Sequence, residues 1–176
     1  MAEGAFLIAF IVAQRLAELL LARRNTVRLL AAGGVEFGRT HYPWIVALHA
    51  AWLAALWLFG SDRAINPILL VIFILLQAGR IWVIGSLGWR WTTRIIVMPD
   101  ARLVASGPYR WLRHPNYLIV ALEIAVVPLA LGLPGVAVLF TLLNAAILYH
   151  RIRTENAALA WAAGHPSTAP TLAKET

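Results

Sequence analysis

Residues 67–87 read PILLVIFILLQAGRIWVIGSL, an apolar run whose one charge is Arg80. A helix needs about 20 apolar residues to cross the hydrocarbon core of a bilayer, with about 17 as the lower limit. This run meets that length, and three others do as well: Gly4–Leu21, Pro43–Gly60 and Tyr117–Leu133. A fifth, Gly135–His150, falls a residue short unless it continues past His150. Only Gly132-Leu133-Pro134-Gly135 separates the last two, so they should form a tight helical hairpin. The pattern predicts an all-α integral membrane bundle of about five transmembrane helices, with a cytosolic loop between the third and fourth and a C-terminal helix.

Composition agrees. The chain is 61% hydrophobic and 13% charged, with a mean hydropathy of +0.74; soluble domains average about 45–50% apolar and about 25% charged. The formal charge of +7 comes from fourteen arginines and Lys174 against eight acids. Because the arginines flank the apolar runs, they fit the excess of positive charge in cytoplasmic loops rather than a nucleic-acid surface. With no cysteine, disulfides, thiolate metal sites and a cysteine nucleophile are excluded. His41, His114 and His150 give no recognisable metal spacing.

Loop charges set the expected orientation. Arg23, Arg24, Arg28 and Arg39 follow the first run, and Arg90, Arg94, Arg102, Arg110 and Arg113 follow the third, whereas loop two carries Arg63 beside Asp62 and loop four no charge. The N-terminus is therefore expected outside and the C-terminus in the cytoplasm of a multi-pass inner-membrane protein. The first run has no basic leader and contains Arg15 and Glu18, as a retained span would. Residues 1–164 read as one domain and 165–176, polar with Pro166 and Pro170, as a disordered tail.

Chemistry-bearing residues gather where loop three meets the fourth run. Gly107-Pro-Tyr-Arg-Trp-Leu-Arg-His-Pro-Asn-Tyr117 is the densest polar, basic and aromatic cluster in the chain. Pro115 suits the first turn of a helix, where its missing N–H has no partner to lose. One reading is a helix start flanked by interfacial arginines; the other is a ligand site, with His114, Tyr117 and Tyr109 around free N–H groups that favour an anion. Glu123 lies about 10 Å deeper on the face of Asn116. An intramembrane acid marks either a site or a structural pair with a buried Arg80 or Arg15. On the last run Asn144, Arg151 and Glu155 fall within about 40° of one another. Arg15 and Glu18 share a face at i,i+3 and read as a structural pair, and His49 as a helix–helix hydrogen-bonding group.

Taken in order, Gly107-Pro108-Tyr109, Arg113-His114-Pro115-Asn116-Tyr117, Glu123, Asn144 and Arg151…Glu155 resemble the isoprenylcysteine carboxyl methyltransferase family. Arg15-x-x-Glu18, the His49 region and Leu87-Gly88-x-x-Trp91 resemble its small bacterial members, which often accompany type III polyketide synthases. The resemblance implies a membrane enzyme that uses S-adenosylmethionine to methylate a carboxylate or a phenol or enol hydroxyl of a lipophilic substrate. Isoprenylcysteine-like, alkylpyrone and alkylresorcinol acceptors are the expected classes, with the bilayer as the other partner and no nucleic acid. It further implies that Leu103, Val104, Gly107, Tyr109, His114, Pro115, Tyr117, Glu123, Asn144, Arg151 and Glu155 hold the cofactor, and that Arg151 and Glu155 serve the reaction. The chain departs from the eukaryotic pattern at Asn156, where a second acid is common. An NADPH-dependent membrane reductase and a phospholipid N-methyltransferase, whose sequence blocks look related, are the alternatives.

Overall fold

The computed structural model describes residues 3–99 and 104–164. Five helices make up nearly all of it: α1 (Glu3–Ala31), α2 (Tyr42–Gly60), α3 (Pro67–Leu87), α4 (Pro115–Ala130) and α5 (Pro134–Gly164). All but α4 are long and apolar enough to cross a membrane. Phe6, Leu20, Trp44, Leu58, Ile68 and Ile81 are each at least 70% exposed. In water such a surface would drive aggregation; facing acyl chains it costs nothing. The molecule is a multi-pass membrane bundle, as its composition requires.

Three helix lengths differ from the sequence reading. The short helix is the fourth, not the fifth: Pro115–Ala130 rises about 24 Å, less than the hydrocarbon core. It stops because Gly132, at φ 69°, turns the chain back through the expected hairpin into Pro134, with the Leu133 N–H donating to the Pro128 carbonyl at 2.8 Å. Helix α5 runs on well past His150, so Arg151 and Glu155 belong to an unbroken helix. Likewise α1 continues to Ala31, placing Arg23, Arg24 and Arg28 on its last turns rather than in a loop; Gly33 and Gly34 are the first residues to break it.

Helix α4 packs between α3 and α5, and α2 lies against α1 and α5. At one end, Gly4 sits so close to the end of α2 that a β-carbon would meet the Gly60 carbonyl oxygen at 2.0 Å, and its N–H donates to the Arg63 carbonyl. Helix α3 opens on a side-chain cap, Asn66 Oδ1 accepting from the amides of Ile68 and Leu69 at 3.0 and 3.2 Å. Asn66→Ala is expected to lower stability by about 1 kcal/mol, seen as a lower melting temperature in detergent.

The interior is layered. An apolar cluster joins Leu7, Ile8 and Ile11 to Trp52, Phe73, Ile124, Val127 and Phe140, and a second joins Ala22, Val83, Trp91 and Ile119. Between them lies a polar layer from three helices: Gln14, Arg15 and Glu18 of α1, Gln77 and Arg80 of α3, and Glu123 of α4. Glu123, 1% exposed, accepts from both Arg15 and Arg80, and from Gln77. Glu18 takes the remaining contacts, at 2.9 Å from Arg15 and 3.1 Å from Arg80. Two cations and two anions thus neutralise one another inside the bundle, the arrangement that makes buried charge tolerable. Glu123 thus pairs with both arginines that the sequence offered as its structural partners.

The two loops at the other end meet in a small antiparallel ladder that the sequence reading passed over. Strand β1 (Val35–Phe37) pairs with β2 (Ile95–Val97) in the register Val35↔Val97, Glu36↔Ile96 and Phe37↔Ile95. Ile95 and Val97 point inward onto Ala158 of α5, and Phe37 packs on Trp161 with ring centres 5.3 Å apart. The ladder therefore fixes the residues before β2 against the distal half of α5.

Candidate functional site

Helix α5 carries Arg151, Glu155 and Asn156 within little more than one turn, opposite the first turn of α4. Tyr117 stands between them: its hydroxyl donates to Glu155 Oε2 and accepts from Arg151 Nε at 2.8 Å. Arg151 is buried, and its Nη2 donates to the backbone carbonyl of Thr93 at 2.6 Å, just before β2. Its guanidinium also lies over the Tyr117 ring, 5.5 Å from the centroid. One arginine thus ties α4, α5 and the β2 loop together.

His114 caps this arrangement. Its ring stacks on Tyr117 at 5.4 Å with an interplanar angle of 18°. Nε2 donates to Asn156 Oδ1 at 3.2 Å, while Nδ1 stands 3.7 Å from Glu155 Oε2. That pairing explains the departure at residue 156: an amide oxygen satisfies a histidine N–H without adding a second negative charge beside Glu155. Pro115 opens α4 as its spacing indicated. At the next position Asn116 Oδ1 is buried, with no hydrogen-bond donor among the described residues.

Loop three approaches from the α3 side. Gly107 has φ 57° and lies so near α3 that a β-carbon would meet Ser86 Oγ at 2.1 Å. A side chain there would be strained by the positive φ and would have to displace Ser86, which gives this glycine a structural reason beyond any ligand. The short 3-10 helix Gly107–Arg110 then carries Tyr109 into the cluster around Val83, Trp91 and Ile119. Burial, and after it the negative charge of Glu155, pushes the Tyr109 phenol well above its ordinary pKa. It stays protonated at neutral pH.

On the α2 side, the rings of His41 and His150 meet edge to face at 5.0 Å. Burial, then His150 and Arg151, hold the His41 pKa below the usual imidazole value, so its ring is neutral at pH 7. The α2 histidine expected to bond between helices, His49, instead has Nδ1 2.8 Å from the Ile45 carbonyl oxygen of its own helix.

The residues singled out by sequence divide accordingly. His114, Tyr117, Arg151 and Glu155 come together, with Tyr109 close by. Asn144 is buried on α5, about 10 Å along the helix from Arg151. Glu123 is held in the polar layer with Arg15 and Arg80. Val104 lies on loop three, and Leu103 falls outside the described residues. Asn116 and Asn156 were named in the sequence pattern without a site role, and Thr93 was not singled out: it takes part through its backbone carbonyl, which no side-chain pattern reports. Tyr117→Phe removes a hydroxyl bonded to both Arg151 and Glu155. It should cost about 1–3 kcal/mol in a melting experiment, because the buried Arg151 Nε loses its acceptor.

Residues 68–161, from the first turn of α3 to the last turn of α5, match the model of the isoprenylcysteine carboxyl methyltransferase (ICMT) family. A protein of Bacillus subtilis (strain 168), "Uncharacterized protein YpbQ", is 37% identical over 166 residues, covering 87% of this chain and 94% of its own length. An "Uncharacterized protein" of Haemophilus influenzae (strain ATCC 51907 / DSM 11121 / KW20 / Rd) is 27% identical over 116 residues, 63% of this chain and 67% of its own. No solved structure matches. The matched segment holds every residue of the α4–α5 site, and the chain belongs to the isoprenylcysteine carboxyl methyltransferase family.

Proposed function

We propose that this chain is an S-adenosylmethionine-dependent O-methyltransferase acting on a lipid-like acceptor at the cytoplasmic end of the bundle, its N-terminus outside. The observation that carries the reading is the Arg151–Tyr117–Glu155 constellation, an opposite-charge pair bridged by a phenol where α4 begins. Membership of the family supports methyl transfer, and its members take the methyl group from S-adenosylmethionine.

The residues present fit that molecule. Its amino-acid end carries a carboxylate and an ammonium, and the site offers a guanidinium and a carboxylate. Glu155 is 28% exposed at its side chain and so within reach of a ligand's ammonium. The orphan Asn116 Oδ1 is an acceptor in want of a donor, such as a ribose hydroxyl or an adenine amine. The stacked faces of His114 and Tyr117 suit a planar base. Bound S-adenosylmethionine supplies an electrophilic methyl group on a sulfonium.

What the protein contributes is position and a water-poor setting. Arg151, braced by Thr93 and Tyr117, holds negative charge at a fixed point, and the bundle admits an acceptor from the bilayer while limiting water. A carboxylate acceptor, pKa about 4, is already ionised at neutral pH; a phenol, pKa about 10, benefits from a base. Isoprenylcysteine-like carboxylates and alkylpyrone or alkylresorcinol hydroxyls are the acceptor classes in view. Incubating the purified protein with methyl-labelled S-adenosylmethionine and a bacterial lipid extract should move label into the organic phase. Label that stays aqueous, with tight binding of NADPH, would point to a reductase instead.

A further inference from the structure

On the α1 side of the bundle, at the same end as the candidate site, lies a cavity of about 370 Å³ that the proposed reaction does not use. That volume is in the range of small-ligand pockets, about 300–1,000 Å³. One wall is a stripe of α1, Leu19, Arg23 and Val27, spaced i, i+4, i+8 and so on one helix face. The other is Tyr42 at the start of α2 with Thr93 and Arg94 before β2.

The charges in this cavity are unbalanced. Arg94 donates to Glu36 at 2.9 Å and lies over the Tyr42 ring. Arg23 is exposed and has no ion pair among the described residues. Among the described residues, two guanidiniums against one carboxylate leave one positive charge uncompensated, beside the Tyr42 hydroxyl, which is 3.0 Å from Thr93 Oγ1. A phosphate monoanion would balance it.

The surroundings say where that phosphate comes from. Val27 and Leu19 on the cavity wall are 63% and 42% exposed, and Leu16 and Leu20, one turn deeper on α1, are 57% and 70% exposed. These are acyl-chain contacts on a membrane span. Trp44, two residues from Tyr42 and 70% exposed, marks the interfacial depth at which headgroups lie. Basic pockets between spans at that depth are suited to anionic lipid headgroups.

We propose that this cavity is a binding site for an anionic phospholipid, its phosphate held between Arg23 and Arg94 and its chains lying along α1. The site is separate from the one formed by Arg151 and Glu155, which it adjoins through Thr93, and it stands whether or not the methyltransferase reading does.

Native mass spectrometry of the protein in neutral detergent, with equal amounts of phosphatidylglycerol and phosphatidylcholine and no nucleoside ligand, tests it. The wild type should retain phosphatidylglycerol at least about fivefold over phosphatidylcholine. Arg23→Gln, at an exposed position that should not disturb folding, should lose that preference. Arg63→Gln, the same loss of charge in the loop between α2 and α3, should keep it. Equal retention of the two lipids by the wild type, or an unchanged preference in Arg23→Gln, would overturn the proposal. So would displacement of the lipid by glycerol 3-phosphate at matched concentration, which would make the ligand a soluble anion. Because no S-adenosyl ligand is present, failure here is distinct from failure of the methyltransferase reading.

Discussion

Glu123→Leu should destabilise the protein by about 3–5 kcal/mol, the usual cost of removing one partner from a buried ion pair. The carboxylate is 1% exposed and accepts from Arg15, Arg80 and Gln77. Without it, Glu18 faces two guanidiniums alone, and Arg80, itself 2% exposed, has no route to water. Arg15 already has a buried Nε without an acceptor, so the layer has no spare acceptor to offer. The loss would be read as a lower melting temperature and as aggregation after detergent extraction. Removing a cation with the anion restores the charge balance. The double variant Arg80→Leu with Glu123→Leu should therefore recover part of the loss. If Glu123→Leu melted like the wild type, the polar layer would not be holding α1, α3 and α4 together.

The second large effect belongs to the α4–α5 site. Arg151→Ala should weaken binding of S-adenosylhomocysteine by at least about tenfold, since a charge-assisted hydrogen bond contributes about 1.5–3 kcal/mol. Arg151 also ties α5 to Thr93 and Tyr117, so this variant will melt earlier as well. Glu155→Gln separates the two effects. Its side chain is partly exposed, keeps its shape and retains an oxygen that can accept from Tyr117. It should fold like the wild type yet bind S-adenosylhomocysteine about tenfold more weakly, through loss of the negative charge that faces the ligand's ammonium. Unchanged affinity in Glu155→Gln would remove Glu155 from the ligand site and leave it a partner of Tyr117.

Much of this was legible from residue spacing. The runs ending at Gly60 and Leu87 became helices with those ends, because nothing but apolar length decides a membrane span. Arg151 and Glu155 share a helix face as their i,i+4 spacing requires, and Pro115 opens α4 as a proline at a helix start does. What spacing hid depends on contacts distant in the chain. Arg15 and Arg80 converge on Glu123 across gaps of 108 and 43 residues, and no local periodicity reports which of several intramembrane charges will meet. The β1–β2 ladder pairs two three-residue strands, too short for alternation to show. Charge alone assigned Arg23, Arg24 and Arg28 to a loop, but a helix continues through arginine readily and ends at Ala31, just before Gly33 and Gly34.

The most direct test is titration calorimetry of S-adenosylhomocysteine into the detergent-purified wild-type protein and its Glu155→Gln variant. The methyltransferase reading predicts saturable binding at one ligand per chain in the wild type, weakened about tenfold in the variant. No heat of binding to a folded wild-type protein would contradict it.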